Sequence, residues 1–196
     1  MKKIIIALAA LLCAAVTFAQ TREETERFRL EVEKDLIENV LPFWLDNSVD
    51  PNGGLYGVIG IDGKVDPGAD KGTMRISRVL WTFARAYRLY GIEEYRLMAD
   101  RLADYYLDRC VDNIYGGVYW SLDADGGIKD PRKVSYVTAY GIYGLAEHFR
   151  ATGDKRSLDA AISLYRTMED KVHDKVGKGY GETYVRDYSK SNPNIV

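Results

Sequence analysis

Gly53-Gly54-Leu55-Tyr56-Gly57, Gly116-Gly117-Val118-Tyr119-Trp120 and Gly177-Lys178-Gly179-Tyr180-Gly181 are three versions of one glycine–aromatic pattern, and their spacing decides the fold. Gly54 to Gly117 is a step of 63 residues, and Gly117 to Gly179 is one of 62. A second pair keeps the beat. Ala86-Tyr87-Arg88-Leu89-Tyr90-Gly91 is answered 62 residues later by His148-Phe149-Arg150-Ala151-Thr152-Gly153. A fixed period of this length marks one supersecondary unit used repeatedly. The 196 residues hold about three such units.

Between the glycine patterns the apolar spacing is helical. Phe28, Val32, Leu36, Val40 and Trp44 recur every fourth residue, one helical face, with Pro42 expected to kink or end that helix. A second helix is expected over about Thr73 to Tyr90, stopped by Gly91, and a third over about Glu93 to Cys110. Two more fall at about 133–152 and 156–172, parted by Gly153-Asp154. Asp62-Gly63 between two β-favouring runs signals a hairpin, and a second runs from Gly117 through a turn at 123–127 to Ile128. The unit is therefore helix, short turn, helix, long hairpin-bearing loop. Stacked units of this kind make a curved all-α wall, with the loops on one side, where binding usually sits.

Composition narrows the function. The net charge of −2 gives no electrostatic footprint for nucleic acid or for an anionic membrane. Tyr is abundant, at 15, and core packing is the ordinary fate of any one of them. The N-terminus reads as a signal peptide over residues 1–19. Lys2 and Lys3 form its basic region, Ile4 to Val16 is apolar but short for a membrane span, and Ala19 precedes the expected mature residue Gln20. The mature chain, 20–196, is expected to be secreted to the periplasm, with no membrane partner once the signal is cleaved. Cys110 is then the one cysteine left, so an intrachain disulfide is not possible.

Residues able to carry chemistry are few. No Ser-His-Asp spacing, metal-ligand cluster or phosphate-binding glycine loop stands in the sequence, and neither a metal nor a cofactor is implied. His148 and His173 read as surface or helix-end residues. The carboxylates near glycine, such as Asp123 with Asp125, read as turn formers. Arg78 is the better candidate. It lies near the start of an apolar helix, shares a face with Arg75 at i, i+3, and offers a fixed fork of donors to sugar hydroxyls or to a developing oxyanion. Tyr136, Tyr140 and Tyr143 open the helix one unit on and could form a platform for sugar rings.

These residues carry a resemblance. Leu41-Pro42-Phe43-Trp44, Asp70-Lys71-Gly72, Arg78-Val79-Leu80-Trp81-Thr82-Phe83, Tyr115 to Asp123 and Ile142 to Glu147 resemble the N-acylglucosamine 2-epimerase superfamily, and within it the cellobiose and mannobiose 2-epimerases. The resemblance implies an (α/α)6 toroid of helix pairs with short β-hairpin loops, of which this chain supplies about three of six repeats, the N-terminal half of one epimerase domain. It implies epimerisation at C2 of the reducing-end sugar of a β-linked disaccharide, through an enediolate. Two histidines move the proton in the family, and both belong to the other half. Carried over residue by residue, Arg78 matches the family arginine near the sugar's C1 and C2 oxygens, and Tyr136 matches a cleft tyrosine. Ile76 stands where asparagine is common, and Val134 where glutamine is common. Two other readings share the architecture: an (α/α)6 glycoside hydrolase using aspartates, and an inactive carbohydrate-binding remnant, since 196 residues alone are expected to lack epimerase activity.

Overall fold

The helix-spaced stretches become helices whose ends are set by the residues expected to stop them. The computed structural model describes residues 21–191, so the signal-peptide reading of residues 1–19 lies outside it. The chain divides into two units, residues 1–44 and 45–196. In the first lie helix α1, residues 21–35, a π turn, Leu36–Val40, and the start of α2, Leu41–Asn47. Pro42 does not end the helix. The π turn before it sends the Leu41 N–H back to the Leu36 carbonyl, a five-residue reach that shifts the hydrogen-bond ladder just where proline removes a donor.

The second unit holds the hairpin β1 (Val58–Ile59) and β2 (Val65–Asp66), then β3 (Lys71–Gly72), α3 (Thr73–Tyr90) and α4 (Glu93–Tyr105). A π turn, Tyr106–Cys110, extends α4 over the range expected for the third helix. There follow β4 (Ser121–Leu122), β5 (Ile128–Asp130), β6 (Lys133–Val134), α5 (Ser135–Thr152), α6 (Lys155–Lys171) and β7 (Thr183–Tyr184). Gly91 and Gly153 end α3 and α5 in the left-handed conformation, at φ 68° and 78°, with their N–H groups on Tyr87 and Phe149. Only glycine takes that conformation without strain.

The core forms where α3 packs on α4 and α5, and α5 on α6. Ile76, Leu80 and Phe83 of α3 and Val137 and Leu145 of α5 are fully buried in it. The α3–α5 approach is close because Gly144 has no side chain; a Cβ there would stand 2.6 Å from the Ser77 carbonyl oxygen. Buried Glu147 of α5 clamps the pair, taking Arg88 of α3 at 2.6 Å and Arg150 at 3.1 Å.

The loops repeat as faithfully as the helices. Val49 bridges Leu55, Val111 bridges Val118, and His173 bridges Tyr180, so each glycine pattern closes a similar tight loop. Buried Asp50 and Asp112, 62 residues apart, cap these loops with side-chain bonds to Asn52 N–H and to Ile114 N–H. Each also pairs with a buried lysine just ahead of an inner helix, Lys71 at 2.5 Å and Lys133 at 2.9 Å. The strand that carries each lysine pairs in turn with the next loop along: Lys71 opposite Leu122, Lys133 opposite Tyr184. At the helix starts, the Thr73 hydroxyl donates to the Tyr119 carbonyl at 2.6 Å, and the Ser135 hydroxyl donates to the Gly181 carbonyl.

Asp112 takes a further cation, Arg186, at 2.9 Å. Burial alone would push its carboxyl up, but the hydrogen bonds from Arg186 and Lys133 outweigh burial and hold it well below the usual carboxylate range. A carboxyl depressed on folding contributes stability that is full above its unfolded pKa and lost as pH falls through the folded one. With an ordinary aspartate value of 3.8, this contribution fades as pH drops below about 4. Asp112→Asn is therefore expected to be about 3–5 kcal/mol less stable at pH 7, since it strands two cations, and to show a shallower acid slope. Urea unfolding from pH 2 to 7 measures both, and an unchanged slope would refute the assignment.

Candidate functional site

Anchored at their starts, α3 and α5 lie side by side and bury one face each. The residues left outside that core form a single polar–aromatic surface. Arg78 and Trp81 come from α3; Tyr136, Tyr140 and Tyr143 come from α5. Trp81 stacks on Tyr143 with centroids 4.8 Å apart and planes 12° from parallel. Tyr140 meets Tyr143 edge to face at 6.2 Å, and the Arg78 guanidinium lies 5.6 Å above the Tyr140 ring. Tyr136 and Tyr143 each keep 44% of their surface exposed, too much for core residues. Such rings offer flat apolar faces and hydroxyl tips, while Arg78 has no carboxylate in ion-pair range among the described residues and lies over the Tyr140 ring.

The two sequence-predicted residues sit on this surface in different ways. Arg78 is at its centre. Tyr136 is at its edge, set against Trp120 at 6.3 Å in edge-to-face geometry. In the repeat, the counterpart of Arg78 is Tyr140 and that of Tyr136 is Met74, so the two are not equivalent positions. Trp120 was not a candidate in the sequence, although it ends the second glycine pattern; Arg132 covers its ring at 5.4 Å. The Trp81–Tyr143 pair was also legible in principle, because its members stand 62 residues apart at one repeat position.

Arg75 does not share the face of Arg78. Its amino group donates to the Tyr56 carbonyl at 2.6 Å, on the side of the first hairpin. Positions three apart on a helix differ by about 60°, which is enough to send two long side chains to different neighbours. The departures at Ile76 and Val134 are both core residues, 0% and 4% exposed, and neither lies on the aromatic surface.

The histidines give one correction. His148 is not a surface residue. It is 1% exposed, with Nδ1 2.8 Å from the Ser157 hydroxyl and Nε2 2.9 Å from Asp100. A Ser–His–Asp constellation that no sequence spacing announces is thus assembled from α6, α5 and α4. Ser157 is fully buried, so a substrate has no path to its hydroxyl, and the triad acts as a polar tie between three helices. His173, past the end of α6, pairs with Glu169 at 3.2 Å, a helix-end role. Among the described residues no group of His, Cys, Asp and Glu is placed to hold a metal, and no helix is long and apolar enough to cross a membrane.

The structural reading of the triad predicts two outcomes. Ser157→Ala should lower stability by about 1–3 kcal/mol in a urea titration, because the buried imidazole loses a partner. Ser157 in the folded chain should stay unlabelled by a fluorophosphonate that modifies activated serines, as mass spectrometry would show.

The N-acylglucosamine 2-epimerase family description matches residues 54–196. Cellobiose 2-epimerase of Bacteroides fragilis is 41% identical over 166 residues, covering 84% of this chain and 42% of that protein. The structure of cellobiose 2-epimerase from Spirochaeta thermophila superposes with a TM-score of 0.83 at 31% identity, over 87% of this chain and 42% of the other. A family 76 glycoside hydrolase from a bovine Bacteroides thetaiotaomicron strain is alike in fold alone, with a TM-score of 0.60 at 17% identity. The chain spans about 40% of the length of the epimerases it matches. Its helix pairs with short hairpins are those of an (α/α)6 barrel, and partial coverage fits the repeats present.

Proposed function

This chain belongs to the N-acylglucosamine 2-epimerase family, and from that premise we propose that it forms the sugar-holding wall of a carbohydrate 2-epimerase acting on a β-linked disaccharide. The observation that carries the reading is the surface of Arg78, Tyr140, Tyr143 and Trp81, where an uncompensated guanidinium sits amid partly exposed aromatic rings. The names of the similar proteins point to cellobiose as the first sugar to try.

Epimerisation at C2 removes a proton next to the open-chain aldehyde and leaves an enediolate, with negative charge on the C1 oxygen. Arg78 is suited to that charge. Its planar fork can donate to the C1 and C2 oxygens together, and the Tyr140 ring beneath fixes its plane. Tyr136 at the edge would orient the sugar through its hydroxyl. Reprotonation from the opposite face gives the epimer. Proton transfer is assigned to histidines elsewhere in the whole protein, because His148 faces Asp100 and Ser157, and His173 pairs with Glu169. No cofactor is required by this chemistry.

Cellobiose binding followed by saturation-transfer NMR tests the wall. The chain is expected to bind cellobiose, with Arg78→Ala at least about tenfold weaker, equivalent to about 1.4 kcal/mol, and Arg78→Lys in between. In deuterated water the chain alone is expected to leave the C2 proton of the sugar unexchanged. Undiminished binding by Arg78→Ala would remove the arginine from the site, and C2 deuteration would place the proton-transfer groups within these residues.

We also propose secretion, on the strength of Lys2-Lys3, the apolar run Ile4 to Val16 and Ala19. Expressed from its full reading frame in a Gram-negative host, the protein is expected in the periplasm with Gln20 as its first residue. N-terminal sequencing that finds residues 1–19 retained would overturn this.

A further inference from the structure

At the start of α3, beside the aromatic surface and outside it, lies an open pocket of about 400 Å³. Arg75, Asp70, Trp120 and Ser121 line it, with Gly57 and Gly72 as backbone walls. The size suits a single sugar ring. The glycines differ in kind. A Cβ at Gly57 would meet the Ala69 carbonyl oxygen at 2.3 Å, whereas one at Gly72 would meet nothing within 4 Å. One wall is therefore closed by the chain itself and the other looks onto open space.

Arg75 is the anomaly in this pocket. Its guanidinium is half-buried, and burial pulls its pKa down. One amino group reaches the Tyr56 carbonyl, but Nε is buried with no partner. No carboxylate of the described residues lies within ion-pair range of it, although carboxylates and cations nearby are matched to one another. Asp130 takes Arg132, and Asp70 has Lys129 at 3.8 Å. Arg75 and Asp70 are the charged groups of the lining, Asp70 stands toward Lys129 and not in ion-pair range of Arg75, and the Arg75 guanidinium is left with an orphan donor. A half-buried charge without a counter-ion is costly, more so with one donor fully buried and unpaired, and a protein retains one where something else compensates it. A guanidinium with its donors in a planar fork is suited to a carboxylate or phosphate oxygen pair.

We propose that the Arg75 pocket is a subsite for an anionic substituent on a sugar ring, a carboxylate or a phosphate, with Arg75 as counter-ion, Ser121 as supporting hydroxyl and Trp120 as the wall against which the ring packs. Trp120 joins the pocket to the aromatic surface through its contact with Tyr136, and Arg75 stands three residues before Arg78, about 4.5 Å along the axis. A saccharide whose reducing end lies at Arg78 would place a neighbouring ring here. This extends the epimerase reading to acidic saccharides and rests on it only for what occupies the Arg78 surface.

Titrations of the chain with cellobiose, with cellobiouronic acid, which carries a carboxylate on the non-reducing ring, and with its 6-phosphate analogue test the proposal. At low salt, at least one acidic sugar is expected to bind tenfold or more tighter than cellobiose, and which of the two does so identifies the anion. Arg75→Leu should erase that preference, bringing the acidic sugars down to the affinity that the same variant shows for cellobiose. Its thermal midpoint should equal or exceed the wild-type value, because an uncompensated charge is gone. Arg75→Lys should restore part of the preference. Equal affinity for all three sugars, or a preference that survives in Arg75→Leu, overturns the subsite. Glucuronate alone separates the two readings. If it binds through Arg75 while cellobiose does not bind at all, the pocket stands and the sugar-epimerase reading of the neighbouring surface falls.

Discussion

A buried aspartate paired with a lysine 21 residues further on is the interaction from which the rest of the second unit follows. Asp50 with Lys71 and Asp112 with Lys133 close two successive loops at one spacing. The lysines are 1% and 0% exposed, so they are not surface decoration, and full burial of so long a charged side chain is rare unless it is paired. Ion pairs of this kind are weak evidence for net stability, because desolvation offsets most of the attraction. Their value lies in geometry. Each lysine ends a loop at one place, immediately ahead of an inner helix, and the two-residue strand around it is then aligned with the next loop. The helix starts are set by charge and strand pairing, and the helices behind them inherit their direction.

That arrangement explains how an arginine–aromatic surface arises from a modest sequence. Neither Arg78 nor the tyrosines of α5 need close packing of their own. They project from helices whose other faces are locked by Ile76, Leu80, Leu145 and the Gly144–Ser77 contact. The aromatic rings then order one another, Trp81 on Tyr143 and Tyr143 against Tyr140, and Tyr140 positions Arg78. Contacts of this kind hold an arginine in one orientation before anything binds to it.

The sequence was informative where signals are local. Both ends of α3 could be read, because Lys71-Gly72 breaks the pattern before it and Gly91 must be left-handed after it. The repeat foretold helix pairs, hairpins and their order. The π turns at Leu36–Val40 and Tyr106–Cys110 were hidden, since apolar spacing does not distinguish a ladder of four residues from one of five. The passage of the helix through Pro42 was hidden for the same reason. His148 was misread because its partners lie 48 and 9 residues away on other helices, a juxtaposition that only tertiary packing creates. Arg75 and Arg78 looked like neighbours on one face, and a rotation of about 60° was enough to part them.

Arg186 has a consequence for how such a chain avoids confusing its own parts. Units built to one plan can be mistaken for each other during folding, and repeat proteins are prone to that misassembly. Asp112 accepts a lysine from its own loop and an arginine from the following one, while the residue one period before Arg186 is Ala124, which offers Asp50 nothing similar. The second cation therefore works as an address. It labels one junction among near-copies, so a hairpin that docks one place too early leaves its guanidinium without the carboxylate meant for it.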